Sequence, residues 1–438
     1  MIKDIFRPLL KNQEQIQDEL FHHTIGLYKK YYFDYTASGL AYDIIEDRIQ
    51  EVLQTYANTH SKEATMAATT SEYYLQARKN LYDSLELSED FVIIPGGCGA
   101  TAAIKRFQEL VGLYIPPATI KRYKFNVDKK DMPLVVVGPY EHHSNEISYR
   151  EAFCDIVRIG LNEDGLIDFK QFEKVLKDNI HREIIGSFCI ASNVTGIITP
   201  YKKISKLLKK YNAIVCFDAA ASSPYMNIDC NLYDAIFLSP HKLLGGPGSC
   251  GLLVINKNII DSSLPPTFAG GGTVSYVSKT KHAYESDLQV REDAGTPGIL
   301  QLIRASLAYQ LRNEIGFDFI KKQKTKLLKL FIQELQVIPN CEIYGNQNEE
   351  NIGIVSFNIG NLNPYDMCTA LSTSYGIQTR AGCSCAGPYG HDLLGLKDQV
   401  VLADKPGWIR ISIHFSQKEE DIFNLLGAIK KGIEILKD

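Results

Sequence analysis

Two residues of opposite charge stand at the ends of two apolar runs that are neighbours in the sequence. Lys242 follows the run at residues 235–238, and a glycine-rich turn comes directly after it. Asp218 ends the preceding run, which has the pattern of a buried parallel strand. A lone loop lysine is more often only a solvated charge. Neighbouring strands that end in Asp and Lys, however, can face one cofactor across a sheet edge. Enzymes that use pyridoxal 5'-phosphate (PLP) need this pair, the lysine for a Schiff base and the acid beside the pyridine nitrogen.

A glycine-rich stretch is a candidate binding site for phosphate. Gly96-Gly97-Cys98-Gly99-Ala100-Thr101-Ala102 follows a predicted strand and opens a helix, where backbone N–H groups and the positive helix end attract anions. From Gly97 to Ala102 it also matches the dinucleotide fingerprint G-x-G-x-x-A. That fingerprint requires an acidic residue about 20 positions on, to hold the ribose. Residues 115–127 contain no Asp or Glu, which disfavours a dinucleotide site and leaves a plain strand-to-helix turn as the alternative.

Two polar motifs follow two further predicted strands. Glu141-His142-His143-Ser144-Asn145 comes after the apolar run that begins at residue 134. An imidazole in this place can stack on a planar cofactor and exchange protons near neutral pH. Ser192-Asn193-Val194-Thr195-Gly196 holds the equivalent position after another strand. A surface cap for His142 and a turn for Asn193 are the alternatives.

A cysteine and two arginines in the last part of the chain complete the candidates. Cys383-Ser384-Cys385 lies on a glycine-rich stretch with Arg380, which favours a mobile thiol held partly as thiolate. C-x-C alone does not predict a metal site, because four ligands are normally needed and no second Cys/His cluster accompanies it. Arg410 points either into solvent or at a substrate carboxylate, and only a bidentate carboxylate partner justifies an inward arginine.

The elements that position these residues follow from the apolar pattern. Short runs rich in Val and Ile, bounded by Gly, Pro, Asn or Asp, are typical of buried strands in an α/β sheet. They lie at residues 91–95, 134–140, 187–191, 213–218, 235–238 and 250–255. Later residues predict helices at 300–314, 317–335 and 419–436 and strands at 351–359 and 408–415. We therefore expect a large sheet domain over residues 36–300 and a small α+β domain formed by residues 1–35 with 301–438. Residues 114–131 are predicted to form a solvated loop.

Composition narrows the class of protein. The 438 residues suffice for two packed domains, and 45% hydrophobic with 22% charged residues is typical of a soluble globular protein. A net charge of −4 with scattered Lys and Arg indicates no surface for nucleic acid. No apolar run reaches the roughly 18 residues of a membrane span, so no membrane partner is expected and a cytoplasmic enzyme is the default. Ten cysteines without framework spacing favour a reducing compartment.

Taken in order, these motifs resemble the fold-type I PLP enzymes of the class V aminotransferase group, most closely the cysteine desulfurases and selenocysteine lyases. The likeness begins at Phe33-Asp34-Tyr35-Thr36-Ala37-Ser38 and reaches the C-terminal helix. It is strong in the stretches around His142, Asn193 and Lys242 and in Ala294-Gly295-Thr296-Pro297. The resemblance implies an α/β fold with a large, mainly parallel seven-stranded sheet domain and a small α+β domain. It also implies PLP as the cofactor and a homodimer, with Thr296 reaching the phosphate of the neighbouring subunit.

The resemblance assigns roles to the candidates around the cofactor. Lys242 would be the Schiff-base lysine and Asp218 the partner of the pyridine nitrogen. His142 would stack on the ring, and Asn193 would approach the ring hydroxyl. The phosphate would be held by two backbone groups and two side chains, those of Ala100, Thr101, Ser239 and His241. The family commonly has a Gln donor to the ring hydroxyl where this chain has Ala221, which is a departure from the pattern.

The same resemblance implies the chemistry of the leading hypothesis. Cys385 falls where the desulfurases carry their persulfide cysteine, and Arg410, with Arg380, falls where the substrate carboxylate binds. Lys242 would remove the Cα proton of cysteine, Cys385 would take the sulfur, and alanine would leave. A sulfur-acceptor protein would be a further partner. The second cysteine, Cys383, departs from the housekeeping desulfurases.

Two alternatives stay open at this point. In a class V aminotransferase or a carbon–sulfur lyase acting on another amino acid, Cys385 is only a loop residue. The second alternative is a binding or regulatory protein that kept the fold without the activity. The Lys242–Asp218 pair argues against this alternative. A buried pair of charges without a cofactor carries a desolvation cost and has no use.

Overall fold

The buried strands of the chain lie on or overlap its apolar runs. The computed structural model describes residues 3–26, 31–59, 61, 63–123, 127–398 and 406–437. In chain order the strands are β1 Tyr31–Tyr32, β2 Phe91–Gly96, β3 Leu134–Val137, β4 Asp155–Arg158, β5 Ile184–Cys189, β6 Ile214–Asp218, β7 Ala235–Leu238, β8 Gly251–Asn256, β9 Val274–Val277, β10 His282–Tyr284, β11 Cys341–Ile343, β12 Ile354–Ile359, β13 Ile377–Gln378, β14 Arg380–Gly382 and β15 Trp408–Ser412. The α-helices are α1 Ile16–His23, α2 Asp43–Leu53, α3 Thr65–Leu85, α4 Gly99–Leu110, α5 Pro117–Arg122, α6 His143–Arg150, α7 Phe169–Asp178, α8 Tyr201–Lys210, α9 Leu288–Arg291, α10 Ile299–Ile315, α11 Phe317–Gln336, α12 Pro364–Tyr375, α13 Gly387–Leu394 and α14 Glu419–Lys437.

A seven-stranded sheet forms the centre of the large part of the molecule. Its strand order is β2-β8-β7-β6-β5-β3-β4. The pairs among β3, β4, β5, β6 and β7 are parallel, and β8 is antiparallel to both of its neighbours. The strands β3, β5 and β7 are buried throughout, as expected for a parallel sheet covered on both faces. The prediction of a large, mainly parallel seven-stranded sheet is confirmed.

The parallel strands carry the predicted site residues to one edge of this sheet. His142 follows β3, Asn193 follows β5, Asp218 ends β6 and Lys242 follows β7. Because the four strands run in the same direction, these residues meet at the carboxyl edge. Strand β2 is antiparallel to β8 and therefore runs in the direction of β7, so it delivers the start of α4 to the same edge.

A second, antiparallel sheet lies in the C-terminal part, with the order β11-β12-β15-β14. In its register Arg380 of β14 stands directly opposite Arg410 of β15. The N-terminal strand β1 pairs with β13, and the backbone of Phe33 bonds to Gln378 and to Ser412, both at 2.8 Å. Asp34 follows Phe33 directly and therefore lies beside the two arginines.

Packing crosses the predicted division at residues 35 and 300. Helix α10 packs against α2 and α3 of the large part, and Leu20 of α1 joins the core of the large part together with Ile5 and Leu9. A separate core contains Phe33 and apolar side chains of α11, α12 and α14. The segment predicted as a loop at residues 114–131 contains the short helix α5, while its residues 124–126 lie outside the described residues.

Large apolar side chains are exposed on the β9–β10 hairpin and before it. Phe268 is 71% exposed, Tyr276 67% and Val277 60%. None of the helices in the described ranges has both the length and the apolar character needed to cross a bilayer.

Candidate active site

One cavity of about 310 Å³ at the carboxyl edge of the large sheet collects the predicted site residues. It is lined by Ala100, Thr101, His142, Asn193, Asp218, Ser239, His241, Lys242, Arg380, Cys385 and Arg410. Thr296 is not brought to it. That residue is exposed, and its hydroxyl accepts a hydrogen bond from the amide of Asn58 at 2.9 Å.

The lysine and the aspartate occupy the inner wall of the cavity. Lys242 ends a short 3-10 turn, Pro240–Lys242, that follows β7 directly. Burial lowers the pKa of Lys242 to about 8, although the negative charge of Asp218 opposes this shift. Asp218 is only 5% exposed, and its carboxylate accepts the N–H of Ala220 at 2.9 Å. Burial raises the pKa of Asp218. The hydrogen bond from Ala220 and the positive charge of Lys242 oppose this rise.

His142 faces the cavity as a neutral imidazole. Its Nδ1 accepts the N–H of Ser144 at 3.1 Å, which makes His142 the N-terminal cap of α6. An acceptor at Nδ1 assigns the ring proton to Nε2. Burial is the main cause that lowers the pKa of His142 to about 4, and the positive charge of Lys242 adds to it. At neutral pH the Nε2–H of His142 can therefore donate a hydrogen bond.

The N-terminus of α4 closes against the segment that carries Lys242. The N–H of Ala100 donates to Oγ of Ser239 at 2.8 Å, and the hydroxyls of Thr101 and Ser144 lie 2.6 Å apart. Gly99 has a φ of +70°, and a Cβ on it would lie 2.7 Å from the His241 ring. Only glycine permits this approach. The start of a twelve-residue helix with Ser and His beside it is a suitable site for a phosphate.

Both arginines share a carboxylate from within the chain. Asp34 accepts from Nε and Nη2 of Arg380, with the latter bond at 2.7 Å, and from Nη2 of Arg410 at 2.9 Å. Arg410 also donates from Nη1 to the backbone oxygen of Asn193 at 3.0 Å. Like charges directly opposite on paired strands are destabilising. The carboxylate of Asp34 offsets that repulsion. It accepts from two nitrogens of Arg380 but from only one of Arg410, so Arg410 points inward without the bidentate partner that was expected.

Cys385 lies on a strained, tethered loop. Ser384 and Cys385 have φ values of +54° and +57°, a conformation that costs energy for residues with a side chain. Asn193 donates from Nδ2 to the carbonyl of Ser384 at 2.6 Å, and the N–H of His143 donates to the carbonyl of Cys385 at 2.8 Å. The Cys385 residue itself is exposed. The backbone of the loop is thus fixed while its thiol remains accessible.

Three residues of the site were not assigned a role from the sequence. They are Asp34, which joins the arginines, His143, which holds the Cys385 loop, and Glu141. The buried carboxylate of Glu141 accepts from the N–H of Cys189 at 3.0 Å and from the amide of Asn145 at 2.6 Å. Glu141 and His143 flank His142 in the sequence, and this position was the available signal for them. Asp34 has no candidate beside it, and its bonds to Arg380 and Arg410 join residues too far apart in the chain for any spacing to reveal them.

A family comparison accounts for this arrangement of residues. The family model of the class V aminotransferases matches residues 31–425. The chain belongs to the class V aminotransferase family. Enzymes of this family depend on PLP, and this chain is therefore a PLP-dependent enzyme.

Individual relatives span almost the same length. A probable cysteine desulfurase of Pyrococcus abyssi (strain GE5 / Orsay) is 29% identical over 418 residues, 93% of this chain and 95% of that protein. One of Staphylococcus aureus (strain Mu50 / ATCC 700699) is 26% identical over 409 residues, 91% of either chain. Among solved structures, a cysteine desulfurase from Thermococcus onnurineus NA1 superposes with a TM-score of 0.80 at 24% identity, covering 96% of this chain and 98% of that one. One from Escherichia coli has a TM-score of 0.78 at 21% identity, with 98% and 100% covered. The structural likeness shows the fold, which is the predicted α/β fold of PLP enzymes.

The residues around the cavity fit PLP. The start of α4 with Ser239 and His241 suits the phosphate. Buried Asp218 suits a protonated ring nitrogen, and Lys242 lines the same cavity and offers an amine for the aldehyde. Ala221 also lines the cavity and supplies only a methyl group there, so the usual donor to the ring oxygen is missing at that position.

Proposed function

We propose that this protein is a cysteine desulfurase, which moves the sulfur of free cysteine to Cys385 and releases alanine. The observation that carries the proposal is the exposed thiol of Cys385 on the wall of the cavity that also holds Lys242 and Arg410. The relatives described above are named probable cysteine desulfurases, which supports cysteine as the substrate.

The two arginines supply a site for the substrate carboxylate. Two guanidinium groups around the single carboxylate of Asp34 leave one positive charge unbalanced. Arg410 is 3% exposed and is fixed by Asp34 and by the backbone of Asn193, so its orientation is set before substrate arrives. A second carboxylate, from the amino acid, balances the charge and can bind to the donors that remain.

Each side chain on the inner wall has a task in proton transfer or in binding. PLP, when bound, supplies the electron sink that weakens the bonds at Cα of an amino acid. Lys242 would hold PLP and, once released, take the Cα proton at Nζ, since a pKa of about 8 suits a general base near neutral pH. Asp218 would keep a proton on the ring nitrogen. His142, which lines the cavity, would stack on the ring.

The sulfur step needs no external oxidant. The Cβ–Sγ bond of the substrate breaks, an S–S bond forms at Sγ of Cys385, and the carbon skeleton leaves as alanine. Thiol plus cysteine therefore gives persulfide plus alanine, with atoms and electrons balanced. A thiol of an acceptor protein would take the sulfur from Cys385 in a later exchange.

We further propose that the protein acts as a homodimer in which Thr296 serves the phosphate of the partner's site. Thr296 is exposed and stands outside the cavity of its own chain. The exposed apolar side chains Phe268, Tyr276 and Val277 precede it in the sequence and offer a surface for a second copy. The location in the cytoplasm stays a prediction from the sequence.

The test is the fate of the sulfur. Incubation of the PLP-loaded protein with cysteine is expected to give alanine and one added sulfur on the peptide that contains Cys385. Cys385→Ala should abolish the alanine formation and the added sulfur while it leaves the absorbance of bound PLP unchanged, because the thiol acts after the cofactor. Amino-acid analysis and peptide mass spectrometry measure both.

Cys383→Ala is the matched control. Cys383 is partly buried and packs against the large core, so its loss should reduce alanine formation much less than the loss of Cys385. Full turnover in Cys385→Ala, with a keto acid formed only when an amino acceptor is supplied, would instead establish an aminotransferase.

A further inference from the structure

His143 bonds to the Cys385 loop at two points. The backbone N–H of His143 donates to the carbonyl of Cys385 at 2.8 Å, and its Nε2 accepts the N–H of Gly387 at 2.7 Å. His143 starts α6 on the large sheet, next to His142, whereas the loop belongs to the C-terminal part of the chain. A single residue therefore ties the thiol loop to the element that presents His142 to the cavity.

Gly387 is the first residue of α13, where backbone N–H groups lack partners within the helix. Ala386, at the cap position, gives no side-chain bond, and Pro388 has no N–H. The imidazole of His143 thus takes the place of a capping side chain, although it lies more than two hundred residues away in sequence. A Cβ on Gly387 would lie 3.0 Å from Nε2, a tight contact that would push the imidazole away by a few tenths of an ångström.

The bond requires a neutral imidazole with its proton on Nδ1. A protonated ring would direct a second N–H at the N–H of Gly387, and it would add positive charge to the positive end of α13. Burial and the charge of Arg150 lower the pKa of His143, while Glu146 opposes them. On the elements packed nearby, Arg158 of β4 pairs with Asp392 of α13 at 2.5 Å. At neutral pH these charges leave the acceptor in place.

From these contacts we infer that His143 is a positioning residue for Cys385, which holds the strained thiol loop at the cavity by capping α13. The N–H to Cys385 fixes the backbone of the nucleophile, and Nε2 fixes the helix start two residues later. Without the acceptor, the loop can relax from its left-handed conformation, and the thiol then spends less time at the cavity. The inference rests on the proposed function for its effect on sulfur transfer, but the contact itself is independent of it.

The test compares two substitutions that differ in whether they keep a hydrogen-bond acceptor. His143→Phe keeps a ring without an acceptor, and His143→Gln places an amide oxygen at the same number of bonds as Nε2. Hydrogen exchange of the peptide over residues 384–390, followed by mass spectrometry, reports the N–H of Gly387 without any need for activity. At pH 8 we expect exchange of this segment to be about fivefold faster in His143→Phe, the effect of one lost hydrogen bond, and close to wild type in His143→Gln.

Activity and pH give the second readout. Alanine formation from cysteine should fall at least about fivefold in kcat in His143→Phe, with KM nearly unchanged because Arg410 is untouched, and it should be restored in His143→Gln. As the pH is lowered, wild type loses the acceptor too, so the exchange ratio of His143→Phe to wild type should fall toward one. His143→Gln does not titrate and should keep its protection.

Equal exchange in His143→Phe and wild type at pH 8, or an equal loss in the Phe and Gln variants, would overturn the inference. Gly387→Ala disturbs the same contact at the donor residue and should also give faster exchange. It serves as a second test if His143→Phe does not fold. A chain that forms no alanine even as wild type contradicts the proposed function, whereas the exchange ratios still decide the role of His143.

Discussion

At the scale of single residues, the reactivity of the site depends on how basic Lys242 is. An ordinary lysine is almost fully protonated at pH 7 and cannot attack an aldehyde or accept a proton. Burial at the cavity wall lowers its pKa to about 8, and the nearby Asp218 stops the pKa from falling further. The same aspartate therefore tunes the lysine and suits the ring nitrogen of PLP.

The pH dependence of PLP loading tests this tuning. Only the neutral amine reacts, so the rate at which added PLP becomes fixed to Lys242 by borohydride should rise with pH through a midpoint near 8 and level off well above it. Asp218→Asn removes the negative charge that raises the pKa of Lys242, and it should shift the midpoint to lower pH while it weakens the binding of PLP. Lys242→Ala should show no fixation at this peptide, and a midpoint above pH 10 in the wild type would contradict the assignment.

At the scale of secondary-structure elements, the register of β14 and β15 places two arginines opposite each other, and the carboxylate of Asp34 offsets their repulsion. Arg380 and Arg410 are directly opposite each other, and Arg410 is almost fully buried. A buried charge that loses its partner is costly, much more so than a charge at the surface. The strand pairing of β1 with β13 brings the required carboxylate to this place.

Asp34→Asn should therefore destabilise the protein by about 3 kcal/mol, the cost of leaving the charge of Arg410 unpaired. The midpoint of urea unfolding measures this, and KM for cysteine should change as well because Arg410 is no longer fixed. Glu173→Gln is the control, since it breaks the exposed pair with Lys210 and should leave the midpoint nearly unchanged. An equal effect of the two substitutions would mean that Asp34 does not neutralise a buried site.

Individual strands show which parts of the fold could be predicted from the sequence. Strand β7 lies at the predicted residues, Ala235–Leu238, because a short apolar run between polar turns specifies a buried strand. Strand β4 was not predicted, because it is a half-buried edge strand with only two central apolar residues. Candidates at strand ends were found because parallel strands bring their carboxyl ends together. Asp34 and Arg410 are 376 residues apart, and no local pattern encodes such a contact.

At the scale of the whole molecule, the cavity joins the two parts of the chain. Residues at the carboxyl edge of the seven-stranded sheet line it together with Arg380 of β14, Arg410 of β15 and Cys385. Every predicted site residue except Thr296 contributes to this one cavity. Under the proposed homodimer, Thr296 of a second copy of the chain would supply this group, because homodimers with twofold symmetry place the same surface on both subunits.

A mixture of two inactive variants tests this shared site. In a dimer of one Lys242→Ala chain and one Thr296→Ala chain, the site built on the Thr296→Ala chain retains its own Lys242 and receives Thr296 from its partner. Random exchange of subunits should therefore restore activity at up to about a quarter of the sites, whereas each variant alone stays inactive or nearly so. Native mass spectrometry verifies that mixed dimers form, and mixing Lys242→Ala with wild type controls for the exchange itself. If Thr296 served its own chain, mixed dimers would form without any recovery, and a protein that stays monomeric at micromolar concentration would remove the shared site altogether.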